Sequence, residues 1–260
     1  MLNGKCALVT GSVSGLGYAV AEALARAGAH VVLNGLCEPA EGHAAAARLS
    51  EASSIDSIFD PADLSDHKAV ERMIGEARDR FGSVDIVVNN AVVRHFSSIE
   101  DFELPEWEKS LSVNLTAPFL LAHLTLPAMK QRGWGRIINM SSVYGWRGAA
   151  DRIDYVTTKT ALIGMTRAIA IEAARTGITC NAVCPGSVPT PAILERIRKI
   201  AQDQGRPVEE VQREYAAERN PTGRFVAMEH VGDLVTFLCS PAGDDITGAS
   251  MPMDGGWLAS

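Results

Sequence analysis

The sequence has no block of lysine and arginine. Its 24 basic residues are outnumbered by 31 acidic ones, for a net charge of -7. A nucleic-acid binder shows a basic face or stripe, so that class of partner is not expected. No run of 18 consecutive apolar residues occurs, and no membrane-spanning helix is expected. The start, "MLNGKCALVTG", has no apolar segment behind a basic one, so no secretory signal is read there. The five cysteines are an odd number scattered through apolar stretches. They predict reduced thiols and a cytoplasmic setting. Cys180 and Cys184 lack the C-x-x-C spacing and have no His close by, and the six histidines form no cluster, so no metal site is expected.

What is present is a regular alternation over 260 residues, 47% hydrophobic and 21% charged. Short β-type runs ("CALVTG", "HVVLN", "SIDSIFD", "VDIVVNN", "RIINMSS", "ITCNAVCPG", "SMPMDGG") are separated by helical patterns. Among these are a long helix over roughly 105–131 and another over 152–174. Near-continuous apolar strands alternating with helices predict an α/β fold. The expectation is one Rossmann-type, doubly wound parallel sheet of about seven strands spanning 1–260, with helices on both faces. The charged stretch 187–225 interrupts the alternation beyond a strand's carboxyl end, where ligands bind in such sheets. It is read as a helical lid; a solvated helical pair or a subunit contact is the alternative.

"TGSVSGLG" follows the first strand and opens the first helix. Gly11, Gly15 and Gly17, with Ser14 and Leu16 between them, let backbone N–H groups approach a pyrophosphate at a helix N-terminus. At the end of the second strand a dinucleotide site usually carries an acid for the adenosine ribose. Here Asn34, Gly35 and Leu36 stand there, and no nearby cation would meet a 2′-phosphate. That favours NAD over NADP. Glu38 is an alternative ribose partner, or a solvated acid at a helix start.

Tyr155 and Lys159 are four residues apart on a helix and therefore lie about 40° apart on one face. An ammonium beside a phenol stabilises the phenolate, which suits a general acid or base for an alcohol proton. The pair alone occurs on many surface helices. Its companions give it meaning.

With "TGSVSGLG", Tyr155-x-x-x-Lys159, Ser142 just past the fifth strand, Asn114 in "SVNLTAPF", Asn89-Asn90-Ala91, Asp63-Leu64, and Pro185-Gly186 followed by Val188 and Thr190, the chain resembles the short-chain dehydrogenase/reductase family from Leu2 to Trp257. The resemblance implies that Tyr155 exchanges the proton and that Lys159 holds the nicotinamide ribose. Ser142 would hydrogen-bond the substrate oxygen, and Asn114 would fix a helix distortion and a relay water. Asp63, Leu64, Asn90, Ala91, Pro185, Gly186, Val188 and Thr190 would line the cofactor site, and the cofactor would carry the hydride. It also implies a homotetramer built across the long helices and the C-terminal segment. One departure is Val92, where the family's N-N-A-G motif has Gly. A branched side chain there is expected to crowd the nicotinamide ribose.

Within the family the resemblance is strongest to the bacterial branch acting on D-3-hydroxybutyrate, through "VVLNG", "ADLS", "IEDF" and "GRIIN". The positions by which that branch holds the carboxylate are here Arg94, Tyr144, Arg152 and Arg196. Ser187 replaces an aromatic wall, and Trp257 is kept. Guanidinium groups grip carboxylates bidentately. The expected substrate is therefore a small anionic hydroxy or oxo acid, 3-hydroxybutyrate or a larger or dianionic relative. The competing reading of the arginines is solvent ion pairs with acids such as Glu195. His95, beside Arg94, is read as structural or solvated. Two further functions compete: an NADP-dependent 3-oxoacyl-thioester reductase, and a Rossmann protein that senses dinucleotide without turnover.

Overall fold

The computed structural model describes all residues, Met1–Ser260. Its strands are β1 (Cys6–Val9), β2 (His30–Asn34), β3 (Ser57–Asp60), β4 (Ile86–Asn89), β5 (Gly135–Met140), β6 (Ile178–Pro185) and β7 (Ser250–Met253). They form one sheet in the order β3-β2-β1-β4-β5-β6-β7, with every neighbouring pair parallel. This is the doubly wound architecture expected from the alternation.

The two faces of the sheet are read directly from side-chain alternation. On β1, Ala7 and Val9 join one core with Val20, Leu24, Leu49, Val231 and Val235. Cys6 and Leu8 join the other, with Val70, Met73, Leu121 and Ala170. Helices α1 (Gly15–Arg26), α2 (Pro39–Ser53) and α9 (Met228–Leu238) thus cover one face. Helices α3 (His67–Phe81), α5 (Ala117–Arg132) and α6 (Ile153–Ala173) cover the other. Helices α7 (Pro191–Gln204) and α8 (Val208–Ala217) build the segment between β6 and α9, packed on their own small core of Ile197, Ala201 and Val211.

Strand order reverses between β1 and β4, which opens a crevice at their carboxyl ends. The loops there are held very close. The Asn90 amide donates to the carbonyls of Thr10 and Gly11, each at 2.9 Å.

The long helix carries at Asn114 the distortion that the family resemblance implied, and it is more apolar than the sequence reading allowed. It is α4 (Leu104–Leu111), a π-helical turn (Ser112–Thr116) and α5 end to end. The Ala117 N–H bonds the Ser112 carbonyl, five residues back. In addition, Leu104–Arg132 contains an 18-residue window of mean hydropathy 1.3, enough by length and composition to cross a membrane. Thr116, His123 and Thr125 interrupt its apolar residues, so no continuous run exists in the sequence. Its buried residues, Leu121 and Met129 among them, pack onto the sheet.

Candidate active site

The crevice holds a cavity of about 370 Å³. Gly11, Ser14, Gly15, Leu16, Gly17, Asn90, Ala91, Ser142, Tyr155, Lys159, Pro185, Gly186, Val188 and Thr190 all line it. Backbone geometry explains the glycines. Gly11 and Gly15 have φ of 60° and 61°. A Cβ on Gly17 would lie 2.2 Å from the Gly11 carbonyl oxygen. Ser14 caps α1 in extended conformation but makes no side-chain cap bond. Free N–H groups at a helix start, beside a turn with no room for side chains, fit a dinucleotide pyrophosphate.

A smaller cavity of about 210 Å³ continues the crevice and shares Gly11, Ala91 and Val92 with the first. Asn34, Leu36, Asp63 and Leu64, the residues expected at the cofactor's adenosine end, line it. Two details refine the sequence reading. The Asn34 amide donates to the carbonyls of Asp60 and Ala62, at 3.2 and 3.0 Å, so it braces β2 against β3 and has no donor left for a ribose. A cation is present after all, Lys109, brought in from α4, a helix distant in sequence. Its ammonium is bound to both Asp63 oxygens and to the Ser65 hydroxyl. Partial burial raises the Asp63 carboxyl, but the Ser65 N–H and hydroxyl and Lys109 outweigh it and hold the group below its ordinary range.

Val92 lines both cavities, at their junction. Its φ is not in the left-handed region, so the backbone does not require Gly there. Only space is at issue. Val92→Gly is expected to tighten NADH binding about threefold, the effect of relieving a fraction of a kcal/mol of crowding. Fluorescence titration of NADH measures it, and an unchanged Kd would remove Val92 from the cofactor's surroundings.

The four residues expected at the chemistry are close to one another but differently disposed. Tyr155 and Ser142 line both the dinucleotide cavity and a third cavity of about 550 Å³. Lys159 is buried, its ammonium donating to the Met140 carbonyl at 2.6 Å and lying 5.5 Å from the Tyr155 ring centroid. Burial, then the like charge of Arg94, pushes Lys159 down to about 7, with Cys184 opposing. Asn114 lines neither main cavity. It sits in the π-helical turn and clasps the Val93 backbone, accepting from its N–H at 2.9 Å and donating to its carbonyl at 2.8 Å. It also donates to Thr158, one residue before Lys159. Asn114 therefore joins the turn after β4 to the helix carrying Tyr155 and Lys159.

The third cavity receives Arg94, Tyr144, Arg152, Ser187, Arg196 and Trp257, every position named from the sequence for substrate. Tyr144 packs edge-on against both Tyr155 and Trp257. Arg196 makes no ion pair, and the neighbouring acid Glu195 pairs with Arg198 instead. Burial, then the charges of Arg94 and Arg196, lower Arg152 from the ordinary arginine value, while Tyr144 and Tyr155 oppose the shift.

Several contributors were not evident in the sequence. Phe96, Tyr215 and Arg219 also line this cavity. Behind it, fully buried Asp154 accepts from the Ser110 hydroxyl at 2.7 Å and contacts His95 Nδ1 at 3.1 Å. His95 thus ties the Arg94 turn to the start of α6, a structural role. No three His, Cys, Asp or Glu side chains converge to hold a metal ion.

A dinucleotide crevice at a switch point, opening through a Tyr and a Ser into a second cavity, is the arrangement of a nicotinamide-dependent oxidoreductase. The chain belongs to the short-chain dehydrogenase/reductase family. A family profile described as "Enoyl-(Acyl carrier protein) reductase" matches residues 11–258. The D-beta-hydroxybutyrate dehydrogenase of Cupriavidus necator is 43% identical over 260 residues, covering 100% of both chains. That of Rhizobium meliloti is 38% identical, covering 98% of this chain and 99% of its own. L-sorbose reductase from Gluconobacter frateurii, solved with NADPH and L-sorbose, superposes with a TM-score of 0.95 at 30% identity, covering 100% of this chain and 98% of that one. The protein is an NAD(P)-dependent oxidoreductase that interconverts a secondary alcohol and a ketone.

Proposed function

We propose that the protein is an NAD-dependent dehydrogenase of a small anionic hydroxy acid of the 3-hydroxybutyrate type. The observation that carries this is the junction of the two main cavities at Tyr155, Ser142 and Arg94. There an alcohol meets a proton acceptor, a hydrogen-bond donor and a guanidinium together.

When bound, the nicotinamide accepts or returns the hydride. Tyr155 takes the hydroxyl proton, Ser142 steadies the developing oxyanion, and Lys159 supplies the positive charge beside the phenol. Asn114 keeps the Val93 backbone and α6 in register. Arg94 and Arg152 orient the carboxylate. The preference for NAD is supported by exposed, apolar Leu36 at the ribose end and by the engagement of Lys109 with Asp63. Residues 187–225 act as the lid of a single catalytic domain spanning 1–260. Exposed Phe119 on α5 and Ile171 on α6 support a homotetramer across the long helices. Five free thiols, four of them buried, suit the cytoplasm.

The test is nicotinamide absorbance with NAD and NADP in parallel against (R)-3-hydroxybutyrate and related acids, repeated on Arg152→Leu. NAD is expected to be the better acceptor. The variant is expected to raise KM about tenfold or more with kcat little changed, since a charge-assisted pair contributes roughly 1.5–3 kcal/mol. An unchanged KM would take Arg152 out of the site, and no turnover of any hydroxy acid would end this reading.

A further inference from the structure

The substrate cavity carries more positive charge than one carboxylate balances. In a chain of net charge -7, this cavity is lined by Arg94, Arg152, Arg196 and Arg219 and by no Asp or Glu. Arg219 pairs with Glu218 at its rim. Arg94, Arg152 and Arg196 make no ion pair at all.

Aromatic faces hold these groups in place without neutralising them. The Arg152 guanidinium lies 4.0 Å from the Phe96 ring centroid, and that of Arg196 5.7 Å from the same ring. Arg94 lies 5.8 Å from the Tyr155 centroid, and Arg219 3.7 Å from that of Tyr215. Arg94 and Arg152 are half-buried, where an unpaired charge is costly until a ligand supplies its partner. Arg94 alone of the four also reaches the dinucleotide crevice; Arg152, Arg196 and Arg219 line only the outer cavity. A volume of about 550 Å³ lies within the range that holds drug-sized ligands, more than a four-carbon acid fills.

We infer that the substrate is a secondary alcohol bearing two anionic groups, in the simplest case a hydroxy dicarboxylate. One anion lies against Arg94 and Arg152, and the second against Arg196 and Arg219. This rests on the hydroxy-acid reading above. The carbinol C–H bond breaks with its electron pair, which passes as hydride to NAD. The O–H proton goes to Tyr155, and an oxo dicarboxylate and NADH result.

Three probes separate charge from size: (R)-3-hydroxybutyrate, 3-hydroxyglutarate, and the monomethyl ester of 3-hydroxyglutarate. With the full chain and NAD, kcat/KM for the diacid is expected to exceed that of both monoanions at least tenfold. In the Arg196→Gln, Arg219→Gln double variant the diacid-to-monoester ratio should collapse toward one. Both side chains reach solvent, and a thermal melt checks that the variant is folded. Equal turnover of diacid and monoester, or a ratio unmoved by the double variant, overturns the second anion site while leaving the hydroxy-acid reading intact. No turnover of any of the three overturns both.

Discussion

Tyr155→Phe is expected to lower kcat about 10³-fold or more while leaving NADH binding nearly unchanged. General acid–base catalysis contributes roughly 10²–10⁴-fold, and Phe has no hydroxyl with which to exchange a substrate proton. The ring itself does other work that Phe preserves. It packs edge-on against Tyr144 at 6.1 Å and lies under Arg94. The cavity therefore keeps its shape, and its Gly11, Gly15 and Asn90 lining, where the dinucleotide is expected, is untouched. Steady-state turnover and NADH fluorescence, measured on the same preparation, separate the two effects. A variant that still turns over at the parent rate would remove Tyr155 from the chemistry. A parent protein that binds NADH and turns over no alcohol would be a dinucleotide sensor.

Gly17→Ala is expected to weaken cofactor binding by a comparable route of pure crowding. The added methyl would sit 2.2 Å from the Gly11 oxygen, 2.5 Å from the Asn90 amide nitrogen and 2.9 Å from the Gly11 carbonyl carbon. Two of these atoms are backbone and cannot swing away. The third already bonds Thr10 and Gly11, so the turn must open. Overpacking of this kind costs about 1–3 kcal/mol, and if the strain falls on the bound form the Kd rises about 5- to 150-fold. Gly164→Ala is the matched control, because a Cβ there meets nothing within 4 Å. Its Kd for NADH should not move. Parent-like affinity in Gly17→Ala would mean that the turn relaxes freely and does not grip the pyrophosphate.

The sheet was legible because its strands are buried on both faces. Runs such as "CALV" and "IVVN" have no other comfortable conformation between helices of clear period. The convergence of Ser142, Tyr155 and Lys159 on one cavity was legible because local spacing and one strand end hold them. What escaped were contacts between segments far apart in sequence. Nothing near Asn34 reveals that its amide turns toward Asp60 and Ala62. Lys109 enters the adenine cavity from α4, and Arg219 enters the substrate cavity from beyond α8; no motif links either to its neighbours. Asp154 adjoins Tyr155, yet its partners His95 and Ser110 lie more than forty residues earlier. The distortion at Asn114 was expected from the family resemblance alone, and the residue pattern itself did not show it. Hydrophobic periodicity across 105–131 is too coarse to reveal one surplus residue.

That surplus residue sets how the site can be lost. A π-helical turn is equivalent to a single insertion into an α-helix, and each residue rotates the helix by about 100°. Between Ser112 and Thr116 the main chain is therefore out of phase with a regular helix by one step. A one-residue deletion there would restore an ordinary helix with all its hydrogen bonds. It would also turn Asn114 away from Val93 and Thr158 and re-phase the whole of α4 against α5. Reading frame within five residues, more than the identity of most of them, keeps this end of the site assembled.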